Sequence, residues 1–430
     1  HKYNIYIYIF YILNIYIYIY IMDSSNYYTA DETSNQDYLK DLENLDYVMK
    51  TVVYPDIDHN DTNYIEEELY TPACESYSKI NEVDLNKIIF KYDIKYNIYN
   101  YSYLLQIKKK YKIQNFNVPS FFFYEDGDQE IILPDIQFIN TGSYGLVFSY
   151  GTYDKLPPEW EEVKPEGRKI HYNNPNTGMK TTVRPKSNEI NDSKIQIAVK
   201  TYFKPDDPEI NIIRRLNREG IDCNIVNSKI LESNGLTVAI MDIMHGSLDK
   251  LVNKIDAITI IKIIKRIAYY LHCLYEKGLS YTDLKTGNIL FKCINNKLKI
   301  TLGDLGSICD NGKSGVVTFP PPERFVNRNI CNEKSMVWGV GIIMMQLFGH
   351  NMQNIFIHRQ FNKFYNHIPE LSKYVNLELK ECDQKNNLQN IKISCDIPGL
   401  VDVDMLLTAM MFINPENRLL LKDIMSVSLI

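Results

Sequence analysis

The run Tyr281-Thr282-Asp283-Leu284-Lys285-Thr286-Gly287-Asn288-Ile289-Leu290, followed by Gly303-Asp304-Leu305-Gly306, constrains this chain more than any other stretch. It spreads two carboxylates, an ammonium and a carboxamide among β-forming residues and turn glycines. A fold that gathers these groups has what phosphoryl transfer requires. Asp283 accepts or orients a hydroxyl, and Lys285 offsets charge at the transferring group. Asn288 and Asp304 are oxygen ligands for a divalent cation.

Two upstream features fit the same chemistry. Asn140-Thr141-Gly142-Ser143-Tyr144-Gly145-Leu146-Val147 lies between two strand-like runs. Its glycines let a hairpin press backbone amides against phosphates, although alone the pattern is also that of an ordinary β-turn. Ala198-Val199-Lys200 then places a lysine on a strand. A lysine buried there needs a counter-charge. The sequence offers Glu219, in a helix predicted over residues 210–221.

Short runs rich in Val, Ile and aromatics at 136–139, 146–150, 195–202 and 236–241 predict strands. From residue 243 the pattern turns helical, with apolar residues at helical spacing over 258–275 and an almost continuously apolar run at 338–348. Strands first and helices after predict an α+β fold. Residues 23–75 are acidic and Tyr-rich and predict a solvated tail, either a spacer or a docking arm. Residues 85–90 and 101–107 each predict a short helix or strand, and Lys108-Lys109-Lys110 a solvated face.

Taken in order, these motifs resemble those of eukaryotic-type protein kinases from about residue 131 to the end. The resemblance implies a bilobal fold, with a small β-rich N-lobe over 131–243 and a larger helical C-lobe over 244–430. It implies ATP and Mg²⁺ (or Mn²⁺) as cofactors and protein Ser/Thr hydroxyls as acceptors, the latter because Asp-Leu-Lys-x-x-Asn is similar to the serine/threonine class. Asp283 and Lys285 would be catalytic, and Asn288 and Asp304 would hold metal. Asn140, Gly142, Ser143, Gly145, Val147, Ala198, Lys200, Glu219, Met241, Asp242, Met244 and Leu290 would bind nucleotide. Within that set Lys200 pairs with Glu219, Met241 is the gatekeeper and 242–244 is the hinge. Pro321-Pro322-Glu323 resembles the end of the activation segment, and Arg418 the late arginine that pairs with its glutamate.

Several positions depart from the pattern. Asn140 replaces the first loop glycine. Tyr281-Thr282 stand where the family has His-Arg, so a phosphorylated activation loop lacks its usual anchor, and the span from Asp304 to Glu323 is short. Both imply a kinase that works without loop phosphorylation. Met336 replaces an aspartate that braces the catalytic turn. Val316 occupies the position of the substrate-facing threonine, and Thr318 follows two residues later. Residues 152–194 are an insertion, read as a loop or a docking element. Thr-Asp-Leu-Lys with a later Leu-Gly-Asp-Leu-Gly-Ser is similar to divergent kinases of large DNA viruses. The altered positions leave a nucleotide-binding scaffold without turnover as the alternative, and Lys200, Asp283, Lys285, Asn288 and Asp304 argue for an enzyme. A small-molecule phosphotransferase fits less well, because Glu323 and Arg418 are both present.

Hydrophobic residues at 45% and charged residues at 23% exclude a collagen-like, wholly disordered or polytopic membrane chain. A net charge of −6 gives no overall footprint for nucleic acid, so neither a nucleic-acid nor a membrane partner is expected. Oligomeric state is not read from the sequence. The eight cysteines form no CxxC pair and no zinc spacing. They predict reduced thiols in a cytoplasmic or nuclear protein, or in a host cell or virion for a viral one. Residues 1–21 alternate Tyr and Ile and read as an upstream stretch absent from the mature protein, which would start at Met22. Residues 22–130 then form an N-terminal extension to a kinase domain at 131–430.

Overall fold

The predicted strands assemble in the computed structural model into one antiparallel sheet. Strands β1 (Asp135–Thr141), β2 (Gly145–Gly151), β3 (Gln196–Tyr202), β4 (Ser228–Ser233) and β5 (Leu236–Asp242) lie in the order β4-β5-β3-β2-β1. The structure describes residues 68–90, 119, 122–141, 145–152, 156–163, 171–182, 185, 194–204, 206–233, 235–310, 317–325, 327, 329–350, 393–394, 402–412 and 414–429. These fall within one unit, Glu68–Ile430. The readings of residues 1–21, 23–67, 101–107 and 108–110 lie outside the described residues.

β3 is central, and its alternation separates two cores. Ile197 and Val199 face a core shared with Leu146, Phe148, Tyr150, Val238 and Ile240. Lys200 and Tyr202 point the other way, and Tyr202 joins the larger core that the helices build. Helix α1 (Pro208–Glu219) follows β3. It starts two residues earlier than the sequence predicts, because Asp207 caps it through the Glu209 N–H at 3.0 Å and Pro208 occupies the first turn. Gly220 ends it at φ 61°.

The remainder is largely helical. Helix α2 (Ala257–Glu276) matches its predicted span and is capped by Asp256. Strand β6 (Leu279–Tyr281) leads to the Asp283–Asn288 stretch. The hairpin of β7 (Ile289–Ile294) and β8 (Lys297–Leu302) follows, and then β9 (Ile308–Asp310), which pairs with β6. Helix α3 (Glu333–Leu347) is apolar on nearly every face, as a central helix must be. It packs with α2, α4 (Val403–Met410) and α5 (Leu421–Met425). Among the described residues no helix is long and apolar enough to cross a membrane.

Three sequence expectations are corrected here. The end of the acidic tail, 68–75, is docked rather than solvated. Leu69 and Cys74 are buried, and the Leu69 carbonyl accepts from Leu298 N–H at 2.6 Å. Farther on, Tyr77 packs against Phe291 and His245. His245 Nδ1 accepts from Cys293 N–H at 2.9 Å, which leaves Nε2 to donate to the Ser78 carbonyl at 2.7 Å. The segment continues to Ile88–Ile89, which pairs with Phe122–Asp126 in a small sheet covering the first core.

The insertion at 152–194 is also more than a loop: Glu161–Val163, His171–Asn174 and Met179–Thr181 form an antiparallel sheet. Finally, the cysteines are not all reduced. Cys74–Cys293, Cys223–Cys273 and Cys309–Cys331 are disulfides. The partners are separated by 219, 50 and 22 positions, so local spacing held no trace of them. Cys382 and Cys395 lie outside the described residues.

Phe122 tests whether the early segment is integral to the fold. It is fully buried and meets the Tyr150 ring edge-on at 4.8 Å. Phe122→Ala is predicted to cost about 3–5 kcal/mol in denaturant unfolding; an unchanged midpoint would show the segment to be dispensable.

Candidate active site

Lys200 is buried, and its Nζ lies 2.5 Å from Glu209 Oε2 and 3.2 Å from Asp304 Oδ1. Burial opposes the ammonium charge, but the two carboxylates outweigh it and hold the Lys200 pKa above its ordinary value. Glu219, expected as the partner, is not in the site. It lies at the end of α1, where Arg218 and Arg215 bind it on the surface and lower its pKa. The physical reason is the helix start. With Asp207 as cap, Glu209 falls in the first turn, and helical side chains lean toward the N-terminus, here toward β3. The Asp-Pro-Glu run carries this signal in the sequence.

Asp304 is reached through a backbone turn at φ 38°, and Ser307 N–H donates to its carbonyl at 2.9 Å. Gly306 packs closely beside it: a Cβ there would lie 3.3 Å from Glu209 Oε2, a tight contact, and 3.6 Å from Asp304 Oδ1. Gly303 N–H donates to the Asn288 carbonyl at 2.8 Å, which sets Asp304 beside the Asp283–Asn288 stretch.

Asp283 is 5% exposed and densely bonded. Its Oδ2 accepts from Lys285 Nζ at 2.6 Å, Thr318 Oγ1 at 3.2 Å and Asn288 Nδ2 at 3.3 Å. Its Oδ1 accepts from Thr318 N–H at 2.6 Å. Lys285 Nζ also donates to Thr318 Oγ1 at 2.7 Å. Thr318 thus makes the threonine contact to Lys285 that the sequence left in question. Asn288 Nδ2 donates to the Asp283 carbonyl at 2.8 Å, which leaves its Oδ1 as an oxygen donor.

The altered residues hold this stretch in their own way. Met336 is buried, and its Sδ accepts from Tyr281 N–H at 3.3 Å. Tyr281 is fully buried; burial raises its pKa well above the ordinary value, and its hydroxyl donates to the Gly303 carbonyl at 2.5 Å. Thr282 binds the Ser307 carbonyl through both N–H and Oγ1, at 2.8 and 2.9 Å. Farther along, Glu323 and Arg418 form a two-pronged ion pair at 2.7 and 2.8 Å, with the guanidinium over Trp338.

The predicted adenine-facing residues also converge. Val147 lies opposite Lys200, and Ala198 opposite Met241. Met241, Met244 and Leu290 pack partly buried on the helical core, and Asp242 ends β5 with its N–H on the Asn227 carbonyl at 3.3 Å. Gly145 allows a close strand approach, since a Cβ would meet the Thr201 carbonyl oxygen at 2.2 Å. Asn140 is exposed, and its side chain accepts from Thr141 N–H at 2.8 Å. Gly142 and Ser143 lie outside the described residues.

A sequence model described as the protein kinase domain matches residues 187–430, more than half of the chain. The chain belongs to the protein kinase family, and its mixture of helices and strands is that of an α+β kinase fold. No curated protein matches it.

The two glutamates make a direct test. Glu209→Ala strips a buried lysine of its nearest counter-charge and is predicted to destabilise by about 3 kcal/mol. Glu219→Ala should leave the urea midpoint unchanged. The reverse ranking would show the pairing to be wrong.

Proposed function

We propose that this chain is an ATP-dependent serine/threonine protein kinase. The observation that carries the reading is the joining of two clusters, Lys200–Glu209–Asp304 and Asp283–Lys285–Asn288–Thr318. They meet through the Gly303–Asn288 backbone bond. The first suits nucleotide phosphates and the second an incoming hydroxyl. The β1–β5 sheet would be the N-lobe and the helical part the C-lobe, with adenine between Val147, Ala198, Met241 and Leu290 against the 242–244 hinge.

Asn288 Oδ1 and the Asp304 carboxylate fit Mg²⁺ or Mn²⁺, hard cations that take one or two protein oxygens and complete their shell with phosphates and water. Bound there, the cation would supply charge neutralisation at the phosphates. Lys200 would hold phosphate oxygens, its charge secured by Glu209. Asp283 would orient the acceptor Ser or Thr hydroxyl and accept its proton as the oxygen–phosphorus bond forms. Lys285 lies close enough to Asp283 to offset charge at the transferring group. The Lys285–Thr318 contact supports Ser/Thr over Tyr acceptors.

The scaffold alternative rests on Tyr281-Thr282 and Met336, yet each makes a substitute contact that braces the same turn. Thr282 is uncharged, which supports activity without a phosphorylated loop. Protein substrates bearing Ser or Thr are the partners this reading requires.

The test is transfer of labelled phosphate from ATP·Mg²⁺ to Ser/Thr peptides. Asp283→Asn and Lys200→Met are each predicted to cut kcat on the order of a thousandfold. Asp283→Asn should keep ATP binding. ATP binding by the wild type with no transfer to any Ser/Thr peptide would decide for the scaffold.

A further inference from the structure

We propose that Cys309 and Cys331 form a thiol–disulfide control site that holds the substrate-facing segment in its working position. The inference rests on the kinase reading above and adds a means of regulating it. Cys309 lies on β9, directly opposite Ser280 of β6, so it is anchored behind the catalytic stretch. Cys331 immediately precedes Asn332, the cap of α3. Their bridge joins the two ends of the segment that carries Thr318 and Glu323. Thr318 touches both Asp283 and Lys285, and Glu323 is fixed by Arg418 and Ser335.

A second observation points the same way. No cation precedes Asp283 in this chain; Thr282 stands there and binds the Ser307 carbonyl. The start of the segment is instead tied by the β6–β9 pairing, by Arg215 on Asp310 at 2.7 Å, and by the covalent bridge. The other bridges are placed differently. Cys74 and Cys293 are both buried, and their bond ties the early segment to β7. Cys223–Cys273 ties the connection after α1 to α2. Neither lies on the segment bearing Thr318. In the Cys309–Cys331 pair, Cys309 is 2% exposed and Cys331 is partly exposed, so attack comes at the Cys331 side.

The exchange balances with a dithiol as reductant. One of its thiolates attacks the Cys331 sulfur and forms a mixed disulfide, and Cys309 leaves as a thiolate that takes up a proton. The second thiolate of the dithiol attacks its own bridged sulfur and releases Cys331, which is protonated in turn. Two electrons and two protons pass to the protein, and the dithiol becomes a cyclic disulfide. Reduction removes the closed loop and leaves the segment held by its non-covalent contacts alone. Peptide binding and Asp283 positioning then loosen. Lys200, Glu209 and Asp304 lie outside the segment, so nucleotide binding persists.

The experiment uses the full chain purified without reductant. Non-reducing peptide mapping should find Cys309 linked to Cys331. Dithiothreitol should lower kcat/KM for a Ser/Thr peptide on the order of tenfold, and oxidised dithiothreitol should restore it. ATP affinity should stay within about twofold. Cys309→Ser/Cys331→Ser should show the reduced activity and no response to dithiothreitol, while Cys223→Ser/Cys273→Ser should still respond. Should the first variant fail to fold, differential alkylation of the wild type serves instead: loss of activity must track labelling of Cys309 and Cys331 and not of the other four bridged cysteines. Free thiols at both positions in fully active enzyme would overturn the proposal. So would complete reduction of this bridge with peptide kcat/KM unchanged. Lack of transfer in both redox states, with the linked peptide present, would overturn the kinase reading and the control built on it, while leaving the bridge itself established.

Discussion

The site depends on a buried ammonium held between two carboxylates from different parts of the chain. Lys200 belongs to the sheet, Glu209 to the helix that follows it, and Asp304 to the turn after β8. A lone charge at this depth would carry a desolvation cost of several kcal/mol, which geometry and pairing must offset. The pairing fixes α1 against β3 and the Asp304 turn against both. Gly306 is part of the same constraint, because a larger residue would press on Glu209. Sheet, helix and catalytic stretch are thus placed by one electrostatic requirement.

The stretch from Tyr281 to Asn288 is braced by a set of residues that work together. Met336 offers a thioether to Tyr281 N–H, Tyr281 offers its hydroxyl to Gly303, and Thr282 grips Ser307. Sulfur is a weak acceptor, but Tyr281 and Met336 are both buried, so even a weak bond is worth more than an unmet N–H. This brace is made of neutral hydrogen bonds. An uncharged brace has nothing with which to bind a phosphorylated loop, which is consistent with the segment being tied by other means.

Much of the site was legible in the sequence because its groups sit in short local patterns. Asp283, Lys285 and Asn288 share one turn, and Asp304 follows at the end of a predicted hairpin. β3 was legible because β-branched residues flank Lys200. Glu219 was the failure: a helix drawn from apolar periodicity alone begins at Ile210 and misses the cap at Asp207, and with it Glu209. The contact of Thr318 with Lys285 and the three disulfides join distant residues, and no local pattern encodes which will meet. The docking of 68–75 was hidden for a similar reason, since the acidic composition masked the two residues, Leu69 and Cys74, that anchor it.

The central claim is that these polar groups form one phosphotransfer centre around Lys200. A crystal structure of the chain with a non-hydrolysable ATP analogue and Mg²⁺ tests it most directly. The account predicts Lys200 bridging Glu209 and the nucleotide phosphates, Asn288 Oδ1 and Asp304 on the cation, and Asp283 facing the terminal phosphate. A nucleotide bound away from Lys200, or a cation held without Asn288 and Asp304, would contradict it.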